Sequence, residues 1–360
     1  MNTFLKKIIF TSLIAASFLS CKKAKSPDAT STSNKANLKK EILNDIADHV
    51  IYATYADMDV KANSLYNAVI ALNNNTNTTN LQLAQQAWKD LRASWEQSEG
   101  FLFGPVSIDN IDPRIDTWPI DYSRLDSVLA SSAVLNSTYV NNLEDALKGF
   151  HPLEYLLFGV NGNKMVSDFT TREKEYLIAL TDNLQCLCQA AKNSWDINTM
   201  ANYSNEFYTA GSGSSIYQTQ RSAYEEIIDA MIGICDEVAN GKIAEPYINQ
   251  NASLEESPFA NNSINDFTNN MKSVQNMYLG KYTNDAKGLE DLIKSSNLSM
   301  DGTIKIKIAN ALTALGNVTV PFGQAISTQP TQVQNCITSI NDLRNYLDAT
   351  VKPYLQTLTN

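Results

Sequence analysis

The sequence predicts an all-α protein built as two helical bundles packed side by side. Three observations predict it. Gly (14) and Pro (10) are scarce in a chain of 360 residues, too few for a turn-rich β protein. Apolar residues recur three, four and seven apart over long stretches instead of alternating. These stretches fall into two halves of about four helices each, which suits bundle architecture, and no period of 20–50 residues repeats. A hydrophobic content of 43% supplies a proper core.

At the start, residues 1–7 are basic and residues 8–19 form an apolar run too short to span a bilayer in a mature protein. Phe18-Leu19-Ser20-Cys21 then resembles a bacterial lipobox. The expectation is a signal peptide over 1–20, a lipid on Cys21 and a polar, flexible tether over 21–36. That makes the protein an exported, membrane-anchored lipoprotein of the outer membrane. Folded domains over 37–205 and 206–360 would follow. Cys186, Cys188, Cys235 and Cys336 remain; their spacing fixes no pairing, and small buried hydrophobes are their expected role. The formal charge of −10, with no basic stripe, argues against nucleic acid as a partner.

Residues 38–72 read as a long helix with Leu43, Ile46, Val50, Ala53 and Val60 on one face and His49 as a surface histidine beside it. Residues 81–100 form the next helix. Leu81, Trp88, Leu91 and Trp95 make its apolar face, and Arg92, Glu96 and Glu99 lie on an adjoining one. That trio is either a solvated ion-pair ladder or a carboxylate source for a site. Residues 101–122 contain Gly104-Pro105, Asp112-Pro113 and Trp118-Pro119, each unfavourable to helix. Their Phe, Ile and Trp content predicts an ordered loop packed against the core, with Arg114, Asp116 and Asp121 as its polar contributors. Helices follow over 123–135, 141–158 and 170–195, the last opening with a Thr170-x-x-Glu173 capping box. After a connection near 202–215, helices are expected over 218–240, stopped by Asn240-Gly241, and over 263–279, stopped by Gly280. Ile264, Phe267, Met271, Val274 and Tyr278 form one face of the latter. Residues 289–293, 301–315 and 331–355 complete the chain.

Chemistry concentrates at Gly149-Phe150-His151-Pro152-Leu153-Glu154, which holds one of only two histidines. His151 and Glu154 are three apart and share a helix face, so they can hold a first-row metal or act as an acid–base pair. The same spacing also fits a helix start with His151 as cap, Pro152 in the first turn and Glu154 reaching back.

Gly149-x-His151-x-x-Glu154 resembles the GxHxxE motif of the imelysin family. Further stretches resemble that family in order. These are Trp88-x3-Arg92-x2-Trp95-Glu96-x2-Glu99, Arg114-x3-Trp118-Pro119-Ile120-Asp121, Gly241-Lys242-Ile243-Ala244-Glu245-Pro246, Glu256-Ser257-Pro258-Phe259 and Ile264-x2-Phe267-x2-Asn270. The resemblance implies two helical domains with the motif facing their interface, and a metal site for iron acquisition. His151 and Glu154 would hold the ion with Glu96 or Glu99 completing the set; Asp116 is a further ligand candidate, and Arg114, Asp121 and Gly149 complete the site. Carboxylates with one imidazole suit iron, with manganese or zinc as further options. The family name also implies a peptidase, for which the chain lacks HExxH. Where family members read Phe-Ser-His-Asn, this chain has Phe259-Ala260-Asn261-Asn262. A partner-binding lipoprotein with no metal is the remaining alternative.

Overall fold

The computed structural model describes residues 29–200 and 202–359, so the expected signal peptide and the expected lipid site at Cys21 lie outside the described residues. Among the described residues the fold is all-α, with an isolated bridge between Lys281 and Asp285 in place of any strand. No described helix is long and apolar enough to cross a membrane.

Helix α1 (Ala29–Asp45) starts inside the segment expected to be a tether. It runs through a π-helical stretch, Ile46–Tyr52, into α2 (Ala53–Asn74). That stretch explains one departure from the sequence pattern. Leu43, Ile46 and Val50 are buried as expected, but Val60 is 64% exposed. A wider turn adds a residue and rotates everything after it. The buried face of α2 therefore runs through Tyr55, Met58, Ala62, Leu65, Val69 and Leu72. His49, within the π-helical stretch, is exposed.

Helix α3 (Thr78–Glu96) is capped by Asn77, whose side chain accepts from the Asn80 N–H. The expected helix over 141–158 is broken. Short turns at Ser137–Asn141 and Asp145–Leu147 precede α4 (Phe150–Phe158), and Gly149 is the residue at its N-cap. Helix α5 (Thr171–Trp195) carries both bonds of the Thr170/Glu173 capping box. Helices α2, α3 and α5 pack together with α4 laid against α3 and α5. In the second half α6 (Gln220–Asp236), α7 (Ser263–Leu279), α8 (Leu298–Gly316) and α9 (Pro330–Tyr346) form the other group. Gly280 is left-handed at the end of α7 as the sequence predicts. Asn240-Gly241, by contrast, does not stop its helix. The chain continues through a π-helical stretch, Glu237–Ile243, into Ala244–Ile248.

Helices α3 and α7 pack on each other and join the two groups, and Leu38–Asn360 forms one compact unit. Its hydrophobic cluster runs from Ile42 to Leu355. Cys188, Cys235 and Cys336 are buried free thiols in it, as small hydrophobes should be, whereas Cys186 is exposed.

Candidate metal centre

Gly149 sets the position of His151. Its φ of +79° is open to glycine at little cost, and a Cβ there would stand 2.1 Å from the Ile115 carbonyl oxygen. The close approach locks the start of α4 against the turn Ile111–Asp116, which ends in Asp116. His151 is therefore the second residue of α4, not its cap, and Pro152 occupies the first turn where its missing N–H loses nothing. A Gly149→Ala chain combines left-handed strain with a backbone clash. It is expected to lose at least about 1–2 kcal/mol of stability, measured by urea unfolding; an unchanged midpoint would contradict this account of the turn.

The two ring nitrogens of His151 face different carboxylates. Nε2 lies 3.1 Å from Asp116 Oδ1, and Nδ1 lies 3.5 Å from Glu154 Oε2. Neither contact is aligned as a hydrogen bond, so both nitrogens and Glu154 Oε2 are buried without a proper partner. The other oxygen of Glu154 accepts from the Ala260 N–H at 2.8 Å. Trp118 covers the imidazole, ring centroids 4.8 Å apart, and Phe259 packs on Trp118. Asp116, His151 and Glu256 offer donor atoms all within 4.8 Å of one another, as do Glu96, Glu99 and Asp116. The i,i+3 pair thus does not converge on one point. Glu154 stands on the Nδ1 side of the imidazole and Asp116 on the Nε2 side, with a Glu256 oxygen within 4.8 Å of both Asp116 and His151 donors.

Arg92 anchors the charges. It is fully buried, its Nη2 lies 2.6 Å from both Glu96 Oε1 and Glu256 Oε1, and its Nη1 pairs with Asp116 Oδ1. Its guanidinium also sits 4.9 Å from the Phe150 ring centroid. Trp95 Nε1 donates to the second Asp116 oxygen at 2.7 Å. Burial pushes the Asp116 carboxyl upward, but Arg92 and then His151 outweigh it and hold the group well below the usual range. The other acids go the opposite way. Burial pushes Glu96 and Asp266 well up despite Arg92, and raises Glu99 to about 7 despite Lys242. For His151 burial acts downward, but contacts with Asp116 and then Glu154 push it up to about 9. Six buried carboxylates (Glu96, Glu99, Asp116, Glu154, Glu256, Asp266) thus face two permanent cations, Arg92 and Lys242. The acids outnumber these cations, and burial favours the proton on Glu96, Glu99 and Asp266.

A cleft of about 360 Å³ opens onto these groups, lined by Glu99, Asp112, Asp116, Glu237, Glu245 and Glu256 with Lys242 among them. Of the residues singled out in the sequence, Glu96, Glu99, Asp116, His151 and Glu154 come together here. Arg114 and Asp121 do not. Arg114 reaches Asn141, and Asp121 caps the helix Tyr122–Ala130 and pairs with Arg124. Glu256, Asp266, Lys242 and Asn270 join the site although the sequence reading gave them no role. Lys242, Glu256 and Asn270 lie in stretches that resemble the imelysin pattern, the one signal that pointed to them; Asp266 had none beyond its place next to the buried face of α7. In the variant stretch Phe259-Ala260-Asn261-Asn262, the Ala260 N–H holds Glu154 and the Asn262 amide donates to Asp266 Oδ1 at 2.7 Å.

The chain is similar to known proteins over most of its length. Over 330 residues the chain is 27% identical to "Iron-regulated protein A" of Synechococcus elongatus, spanning 89% of this chain and 88% of that one. Its fold is similar to the crystal structure of an iron-regulated protein A precursor from Parabacteroides distasonis, with TM-score 0.79 and 24% identity over 90% of this chain and 95% of that one. It is also similar to that of an imelysin-like protein from Psychrobacter arcticum, with TM-score 0.72 and 13% identity over 89% and 96% of the two chains. Residues 51–349 match the family described as Imelysin, and the chain belongs to that family.

Proposed function

We propose that this protein binds a transition-metal cation, iron first, between Asp116, His151 and Glu256, and serves iron acquisition as an exported lipoprotein anchored through Cys21. One observation carries the reading. A fully buried imidazole, neither of whose nitrogens makes an aligned hydrogen bond, has donor atoms of Asp116 and Glu256 within 4.8 Å, and those two acids line an acidic cleft. One imidazole and two carboxylates suit iron or manganese and tolerate zinc. Glu154 takes the supporting role: its Oε2, 3.5 Å from Nδ1, is placed to accept the Nδ1–H when an ion takes the Nε2 lone pair. Six acids to one lysine around the cleft favour a hydrated cation over an anionic chelate. The relative named for iron regulation is consistent with iron. Titration calorimetry with Fe²⁺ and Mn²⁺ tests the site: saturable binding by folded wild type is expected, and no binding of either ion would overturn the reading.

Binding should depend on pH with a defined sign. The free protein keeps a proton on His151 up to about pH 9 and one on Glu99 up to about 7. A ligating imidazole is neutral, so the ion displaces a proton. Affinity is expected to rise roughly tenfold per pH unit from 7 toward 9. Ion-free stability should move the other way. Both groups bind protons more tightly folded than unfolded, so their stabilisation is complete at low pH. It is lost for Glu99 as pH rises through about 7 and for His151 through about 9. Calorimetry and urea unfolding at pH 6, 7, 8 and 9 read both trends; pH-independent affinity would contradict the proton count. For the anchor, Cys21→Ser is expected to lose radiolabelled palmitate and membrane association, and retained label would remove the lipid from the proposal.

A further inference from the structure

We propose that Lys242 is a tethered cation occupying a second ion position beside the first, and that it limits the centre to a single metal ion. The inference rests on the metal-binding reading above.

The observations concern position and company. Asp116 belongs to both groups of converging donors, the one with His151 and Glu256 and the one with Glu96 and Glu99. It is therefore placed as a carboxylate shared between two neighbouring positions, the arrangement that two-ion centres use. The Lys242 ammonium reaches two of the three donors of the second position, Glu99 and Glu96. Its Nζ lies 2.8 Å from Glu99 Oε2, 3.4 Å from Glu256 Oε1, 3.7 Å from Glu96 Oε2 and 3.8 Å from Glu237 Oε1. Four carboxylates around one nitrogen is the environment of a bound cation rather than of a surface ion pair. The side chain is nine-tenths buried yet borders the cleft, so it lies where a second ion would arrive. The Glu96 oxygen on this side, Oε2, also accepts from the Asn270 amide at 2.7 Å, while its Oε1 faces Arg92 Nη2.

The backbone is shaped for the task. Lys242 projects from the π-helical stretch Glu237–Ile243, where a regular helix would have been expected to end at Asn240-Gly241. A wide turn re-aims a side chain at a functional site. A compact ammonium on a flexible stem can fill an ion position, and its fixed charge repels a dication from the same place. Arg92 does not compete for this role. Its planar guanidinium is fully enclosed and fixed by Glu96, Asp116 and Glu256.

The test counts ions. Mn²⁺, which is stable to air, is titrated into wild type, Lys242→Met and Lys242→Arg by calorimetry, and metal content is measured after gel filtration. Wild type and Lys242→Arg are expected to hold one Mn²⁺ per chain and Lys242→Met two. One Mn²⁺ in both wild type and folded Lys242→Met would overturn the role of Lys242 and leave the metal site standing. No Mn²⁺ in either would overturn both. Lys242→Gln keeps a donor for Glu99 without the charge, so if the methionine variant fails to fold the same count is made on it. Two ions support the proposal and one overturns it.

Discussion

An Arg92→Met chain is expected to unfold with about 3–5 kcal/mol less free energy than wild type in urea. Arg92 is fully enclosed and shared among Glu96, Asp116 and Glu256, with the Phe150 ring against its guanidinium. Methionine restores apolar contacts along the stem but leaves three carboxylates facing one another without their shared cation, in a site where burial already favours the neutral form of Glu96. Asp116 has the most to lose, because Arg92 is the main influence holding it ionised. Removing one partner of a buried pair is costlier than replacing the pair, because the remaining charge cannot be resolvated. Arg92→Lys keeps the charge and loses the planar fork, and an intermediate loss is expected. A loss below about 1 kcal/mol in Arg92→Met would mean that the acids rearrange freely, and the rigid centre described above would be wrong.

The second large effect separates the roles of His151 and Glu154. His151→Ala is expected to weaken Fe²⁺ or Mn²⁺ binding by more than about 100-fold with helical content unchanged, because it deletes the one nitrogen donor. Glu154→Gln keeps a polar partner for Nδ1 and is expected to lose roughly 10–100-fold, the range for an outer partner that orients a ligand. Equal losses in the two variants would make Glu154 a ligand alongside His151. If His151→Ala unfolds the chain with no effect on metal, the motif is structural. Calorimetry with circular dichroism on each variant distinguishes these outcomes.

Much of this fold was legible because local chemistry and burial agree. The face from Phe267 to Tyr278, the stop at Gly280 and the box at Thr170 and Glu173 all follow from spacing and caps. The misplacement of Val60 and the continued helix at Gly241 share one cause. Sequence periodicity assumes 3.6 residues per turn, and both lie in or after π-helical stretches that change the phase. In the centre, His151 and Glu154 stood out as a polar pair inside an apolar run, Asp116 as a polar residue of an ordered loop, and Glu96 and Glu99 through the resemblance to the imelysin pattern. Their division of labour did not. Residues three apart on a helix suggest joint ligation, but an imidazole has two nitrogens pointing apart, and only packing shows that Nε2 faces Asp116 and Nδ1 faces Glu154. Glu256, Asp266 and Lys242 come from other segments, and chain spacing carries no information on such meetings. Arg114 turns away to Asn141 and Asp121 caps the helix that follows it, so both charges of the loop are used outside the centre.

The most direct measurement is anomalous X-ray scattering from crystals loaded with Fe²⁺ under anaerobic conditions, recorded on both sides of the iron edge. The account predicts a peak bonded to His151 Nε2 and to carboxylate oxygens of Asp116 and Glu256, at about 2.0–2.2 Å, with Glu154 on Nδ1. A loaded crystal with no iron peak between these three side chains, or with its iron elsewhere on the chain, would contradict it.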